Sequence, residues 1–443
     1  LPISIKNKTG FLQSIVIIKK KEKKRKEKSM LLKNVFNISN LVRKPDFTSF
    51  KDSTSLVNGN GNKNNLSYKS IAIVGCGFVA DYYLKTLLMH PQLKLVGVMD
   101  KIGDRATKFA EYHNVDRVYE TLADILEDNT VDIVLNLTNP RSHYEVSKAC
   151  LEAGKHVYSE KPFAMEMAQA SELVDIAQAK GLYLSSAPCS LLSETAQTVW
   201  KALRENKVGK VRLVYAEMDD GLVHQMPYEK WLSESGTPWP YKDEFEVGCT
   251  LEHAGYYVNW LTAFFGPAET VSAFSSCVVP DKHTDVALDV NAPDFSVACI
   301  KFASGIVARL TCSIVAPHDH SLKIIGDDGI LGIDDCWYYG TPVYIRRSLT
   351  IGRKRLEGIW KQNYPLVKKA PKFGYRGAQQ MDFCRGVAEM ADAIMENRPC
   401  RLSPEFSLHN NELVLAIQNS LETGSSYRMQ TSFEPMEPMN WAK

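Results

Sequence analysis

Residues Gly75-Cys76-Gly77-Phe78-Val79-Ala80 spell G-x-G-x-x-A directly after the apolar run Ile71–Val74. No other feature constrains the chain as much. The first glycine makes a tight strand-to-helix turn, the second admits a pyrophosphate to the backbone, and the small Ala80 lets helix and strand pack closely. Phe78 and Val79 then lie where the first N–H groups of a helix face an anion. Asp100 ends the next apolar run, LKLVGVMD, 25 positions beyond Gly75. A carboxylate there accepts hydrogen bonds from a ribose diol and repels a 2′-phosphate, which favours NAD. Lys101 and Arg105 follow closely and leave NADP open.

The surrounding pattern supplies the βαβ setting that this turn requires. Strand-like runs at 71–75, 93–100, 131–138, 156–162 and 182–188 alternate with helical segments at 79–89, 104–112, 143–154 and 166–180. Such alternation predicts a parallel, doubly wound sheet. After Ser190 the rhythm changes. A helix over 193–205 is followed by longer strand-like segments at 211–218, 269–279, 295–303, 305–316 and 321–334, then by helices at 378–396 and 404–422. The expected fold is α/β: a Rossmann domain over 70–190, then an α+β domain over 191–443 with a large, open, mostly antiparallel sheet. At 443 residues the chain is long enough for two cores, since single cores stop growing at about 250–300 residues.

Residues 1–69 read as a disordered or targeting arm. Within it, KKKEKKRKEK (19–28) holds eight basic and two acidic residues, and 51–69 is rich in Asn, Gly, Ser and Lys. The total charge is +2, so the remainder is mildly acidic and does not point to nucleic acid. Met30 is a candidate start, and the basic, acid-free MLLKNVFNISNLVRK after it is the basis for an organelle-targeted alternative to a cytoplasmic location. Ten scattered Cys without C-x-x-C fit neither a zinc site nor a disulfide framework. No apolar run reaches the roughly 20 residues that span a bilayer, so no membrane partner is expected.

Further motifs carry a resemblance. Thr138-Asn139-Pro140 with His143 follows the third main strand, and Glu160-Lys161-Pro162 follows the next. Gly209-Lys210-Val211, the stretch Gly248 to Tyr257 with His253 and Gly255 inside it, and Ser407-Leu408-His409 come later. In this order the chain resembles the glucose–fructose oxidoreductase / inositol dehydrogenase / MocA family over about residues 70–430. The resemblance implies an NAD(P)-dependent oxidoreductase acting on a secondary alcohol or ketone of a sugar, cyclitol or diol, and a homo-oligomer, dimer or tetramer. It implies that Lys161 reaches the reactive end of cofactor and substrate, with a cis-proline at Pro162, while Thr138, Asn139, His143 and Glu160 belong to the cofactor site. The family's Asp and His positions are held here by His253 and Tyr257. Residues four apart share a helix face, so both are candidates for the acid/base beside Lys161.

Two other readings remain inside this fold: redox-neutral glycoside hydrolysis with NAD, and a non-enzymatic nicotinamide sensor. Retention of Lys161 and Tyr257 argues against the sensor. His318-Asp319-His320 looks like a metal fragment, but no third ligand is in register, so no metal is expected and a turn or a cleft-rim substrate contact is the reading. The aromatic loop Trp231, Trp239 and Tyr241 suits either a sugar ring or packing.

Overall fold

Alternate residues of the first strand face opposite ways, and both sides are apolar. Ile71 and Ile73 enter one buried cluster with Ile133 and Leu135, while Ala72 and Val74 enter another with Val134 and Val157. A strand buried on both faces belongs in a parallel sheet covered by helices. The computed structural model describes residues 67–356, 358, 360–373, 380–420 and 424–443. The basic run, Met30 and most of the N-terminal arm lie outside the described residues.

Strands β1 (Lys69–Val74), β2 (Leu93–Met99), β3 (Ile133–Asn136), β4 (His156–Ser159) and β5 (Leu184–Ser186) form a parallel sheet in the order β2-β1-β3-β4-β5. Val118 extends it beyond β2 through a parallel bridge to Val98. The strand order reverses between β1 and β3, and ligands of open α/β sheets bind outside the strand ends at such a point. Helices α1 (Ala80–Leu87), α2 (Gly103–His113), α3 (Leu122–Glu127), α4 (His143–Glu152) and α5 (Met167–Lys180) connect the strands. Asn114 and Gly181, both left-handed, stop α2 and α5 as helix C-caps do.

The later strands build the second sheet, ten-stranded among the described residues. Its long central strand is β6 (Val211–Leu222), paired in parallel with Val307–Ser313 and antiparallel with Leu322–Gly326. The parallel pair is the exception in an otherwise antiparallel sheet. Two sequence expectations need correction. The run 321–334 is a hairpin whose strands meet at Gly326↔Gly329 across Asp327-Asp328. Strand β6 also runs through Asp219-Asp220-Gly221, a triplet that reads locally as a turn, because the strand Val315–Asp319 pairs with it there.

The C-terminal helices return to the first sheet. Ser185 on β5 donates its Oγ to the Leu402 carbonyl, and the Ser186 N–H donates to Ser407 Oγ at 3.2 Å. Cys384 N–H donates to Thr86 Oγ1 at 3.1 Å, and Asp382 accepts from His90 at 3.0 Å. His409 accepts from Ala268 N–H through Nε2 and faces the Thr431 carbonyl through Nδ1, so its tautomer carries the proton on Nδ1. These bonds give Ser407 and His409 structural roles.

Candidate active site

At the glycine turn the two glycines do different work. Gly75 has φ +99°, and a Cβ there would stand 2.5 Å from the Leu137 carbonyl oxygen, so the backbone itself demands glycine. A Cβ on Gly77 would meet nothing within 4 Å. The packing of the fold therefore does not require glycine there. Val79 gives α1 no side-chain cap, which leaves first-turn N–H groups for an anion. Ala80 is fully buried, as close helix–strand packing requires.

Asp100 is buried beneath this turn. Its Oδ2 accepts from Cys76 N–H at 2.9 Å and its Oδ1 from Ile102 N–H at 2.8 Å, while Arg105 approaches at 3.5 Å. The carboxylate thus braces the glycine turn and still keeps a lone pair on Oδ1. The loop 233–237 lies over the same region. Ser235 donates to Asp81 through N–H (3.2 Å) and Oγ (2.8 Å), and Thr237 Oγ1 reaches the Cys76 carbonyl at 3.5 Å. The aromatic residues flanking it pack among themselves: Trp231 on Trp239 at 5.0 Å, and Tyr228 against Tyr241 and Phe245. Packing is thus the reading the contacts support.

The turn after β3 is held from below. Thr138 Oγ1 donates to Asn136 Oδ1 at 2.7 Å. His143 is fully buried between two carbonyls, Pro162 (2.7 Å) and Thr138 (3.0 Å), and burial pushes its pKa down. A ring so enclosed ties two loops together, and both of its nitrogens are engaged by backbone carbonyls. Asn139 donates weakly to Asp243, and its buried Oδ1 has no partner. Neither Asn139 nor Ser142 caps the following helix through its side chain.

Glu160-Lys161 leaves the end of β4 on the same side. Glu160 accepts from the Tyr83 hydroxyl at 2.7 Å and from the Lys161 N–H at 3.1 Å, which anchors the turn. The Lys161–Pro162 bond is cis, in line with the resemblance. Lys161 Nζ pairs with Glu252, and His253 Nε2 pairs with Glu244 at 3.0 Å. Glu244 lies on α6 (Tyr241–Val247), and Glu252 and His253 on a π-helical turn, Thr250–Ala254, ahead of α7 (Gly255–Phe265). Two carboxylates and two cations thus form a largely buried quartet.

Its electrostatics follow from burial and these pairings. Burial alone pulls Lys161 down, but Glu252, Glu244 and Glu160 outweigh it and hold the ammonium firmly charged. Burial and the nearby Glu244 raise Glu252 to about 7, against the pull of Lys161 and His253. Burial lowers His253, yet Glu244 and Asp220 overcome this and lift it to about 9. Glu244 is held below its ordinary value, because His253 and Lys161 outweigh burial. His253 Nδ1 is buried and has no partner.

The structure does not bring Tyr257 to Lys161. Its fully buried hydroxyl donates to the His320 carbonyl. The physical reason is the π-helical turn, which inserts a residue into the helical repeat, so the four-residue spacing from His253 fails. Tyr256 instead packs on Trp337 at 5.4 Å, lines a small cleft with Tyr83 and Cys189, and feels the Lys161 charge. Sequence reasoning missed Glu244, Glu252 and Tyr256. Glu252 adjoins His253 inside the quoted motif and was a signal available to be read.

The chain matches the model of the oxidoreductase family with an NAD-binding Rossmann fold over residues 69–187, and that of the GFO/IDH/MocA C-terminal domain over 196–332. Trans-1,2-dihydrobenzene-1,2-diol dehydrogenase of Bos taurus is 24% identical over 270 residues, covering 60% of this chain and 74% of that protein. Among solved structures, aldose-aldose oxidoreductase from Caulobacter crescentus superposes with a TM-score of 0.64 at 17% identity, over 82% of this chain and all of that one. A 3-ketoreductase from Actinomadura kijaniata, in complex with TDP-benzene and NADP, does so with 0.60 at 22%, over 80% and 98%. Together with the parallel sheet, its glycine turn and the Glu160-Lys161-Pro162 strand end, these matches show that the chain belongs to the GFO/IDH/MocA oxidoreductases.

Proposed function

We propose that this chain oxidises a secondary alcohol of a small polyhydroxylated molecule (a sugar, cyclitol or diol), or reduces the matching ketone, with NAD or NADP. One observation carries the reading: the buried Lys161–Glu252 pair sits at the strand end that follows the glycine-turn side of the sheet, flanked by His253–Glu244. A bound nicotinamide supplies the hydride acceptor or donor. Gly75, Gly77, Phe78, Val79 and Ala80 would hold its pyrophosphate, Asp100 its ribose, and Thr138 and Asn139 its nicotinamide end, where the buried Asn139 Oδ1 could accept a hydrogen bond. Arg105 beside Asp100 suits a 2′-phosphate, so both dinucleotides fit.

A carbinol gives up hydride only as its proton leaves. The Lys161 ammonium hydrogen-bonds the carbinol oxygen and stabilises the developing alkoxide. Glu252, poised at about 7, is the final acceptor: Lys161 passes one of its ammonium protons to Glu252 as it takes the carbinol proton, so it stays charged overall, and the exchange runs backwards in the reduction. His253 offers its Nδ1–H to a second substrate oxygen, and Tyr256 closes the pocket with a phenol that burial keeps protonated. The relatives named for a diol and for aldoses support this substrate class. Exposed Leu213 and Phe274 on the open sheet support a homo-oligomer there, and ten unpaired cysteines support a cytoplasmic, reducing location.

The test is reduction of NAD and NADP by the purified full chain over a panel of sugars, cyclitols and diols. Lys161→Ala is expected to lower kcat by about 10²–10⁴-fold while NADH fluorescence still reports binding. Undiminished turnover in Lys161→Ala overturns the reading.

A further inference from the structure

Beside the quartet, three side chains from the second sheet converge. Asp220 projects from β6, and His318 and His320 come from the strand paired with it and the residue just beyond. His318 Nδ1 lies 3.8 Å from Asp220 Oδ1, and His320 Nε2 lies 3.6 Å from the same oxygen. These separations are too long for hydrogen bonds. They lie close to the roughly 3.3–3.5 Å between ligand atoms that bonds of about 2.0–2.1 Å give around a tetrahedral ion. His320 is fully buried, yet neither of its ring nitrogens has a hydrogen-bond partner. A buried imidazole without partners is a cost that a native structure offsets with something. Its Nδ1 faces Asp335 Oδ1 at 3.7 Å, and that oxygen is fixed by the Trp337 N–H at 2.7 Å. At 3.7 Å this contact too is longer than a hydrogen bond, but the order of carboxylate behind, imidazole between and shared focus in front is the one that orients a metal-bound histidine.

We propose that Asp220, His318 and His320 form a three-ligand site for a divalent cation of the zinc type, with Asp335 as the positioning residue behind His320. Two imidazoles and one carboxylate leave a coordination position open. Asp220 and His318 are partly exposed, which leaves the open position accessible, and Trp337 packs on both His320 (4.4 Å) and His253 (5.9 Å), which puts the cluster beside the quartet. There the cation takes a second oxygen of a vicinal diol or hydroxy-ketone, next to the oxygen held by Lys161. This last role rests on the oxidoreductase reading; cation binding itself does not. Cys336 also lies near His320, but its Sγ is directed to Met218 Sδ at 3.9 Å, away from the shared focus.

Cobalt(II) titration of the chelator-treated full chain tests the site through its visible ligand-field bands. One equivalent per chain, with tetrahedral-type absorption and no thiolate charge-transfer band, is expected. His318→Ala removes a partly exposed ligand, and Asp335→Asn alters only the support. Each is expected to weaken cobalt binding by at least about 10-fold. No stoichiometric binding, a thiolate band, or affinity unchanged in His318→Ala overturns the proposal. NADH binding is measured on the same samples. Its absence sinks the oxidoreductase reading alone, while the cobalt result still decides the metal site.

Discussion

Gly77 and Glu252 are the two residues at which this site is most exposed to test. A methyl on Gly77 meets no protein atom within 4 Å, so Gly77→Ala is expected to leave the melting temperature within about 1–2 °C and to weaken NADH binding by 10-fold or more. Gly75→Ala, driven into the Leu137 carbonyl at positive φ, is instead expected to destabilise the fold, and calorimetry beside NADH titration separates the two. Glu252 titrates at about 7 under the combined influence of burial, Glu244, Lys161 and His253. As the proton acceptor it works when ionised, so kcat/KM for oxidation is expected to rise with pH through about 7. Glu252→Gln is expected to flatten that limb and lower the plateau by about 10²–10⁴-fold. A profile that keeps its rise near 7 in Glu252→Gln assigns the proton to another group. The glycines were legible because a turn motif needs only local residues. Glu252 was not, because its pKa is made by groups from three separate segments.

Elements decide which side chains share a face, and here one irregular turn changes the answer. The π-helical turn at Thr250–Ala254 gives no periodic signature, so a four-residue count selected Tyr257 where the structure presents Tyr256. The two tyrosines provide a paired experiment. Tyr256→Phe is expected to reduce kcat with little change in melting temperature. Tyr257→Phe is expected to leave kcat near wild type and to destabilise by about 1–3 kcal/mol, because the buried His320 carbonyl loses its donor. Equal kinetic losses in both variants would argue against the register described. Asp220 escaped notice for a related reason. Asp-Asp-Gly is a turn signal by composition, and only pairing with a strand almost a hundred residues later keeps β6 extended through it.

Across the whole molecule the buried quartet sets the response to pH. His253 has a folded pKa of about 9, above its ordinary 6.5, through Glu244 and Asp220 and against burial and Lys161. Its contribution to stability is complete below about 6.5 and is lost as pH rises through about 9, a change on the order of 3 kcal/mol. Melting temperature is therefore expected to decline between pH 7 and 9.5, and less steeply in His253→Asn. A decline of equal slope in that variant would assign the effect elsewhere. The two-sheet architecture was legible because its period-2 runs and βαβ rhythm are long-range patterns written locally. The bonds that join the sheets were not, since their partners stand hundreds of residues apart. The order of synthesis gives that separation a further meaning. The Ser185–Leu402 bond spans 217 positions. At about 5–20 residues per second, strand β5 leaves the ribosome and waits roughly 10–40 s for the segment that covers it. The first sheet is therefore translated well before the segment that covers it, and a nascent chain that stops short of Leu402 leaves the already emerged sheet without its cover.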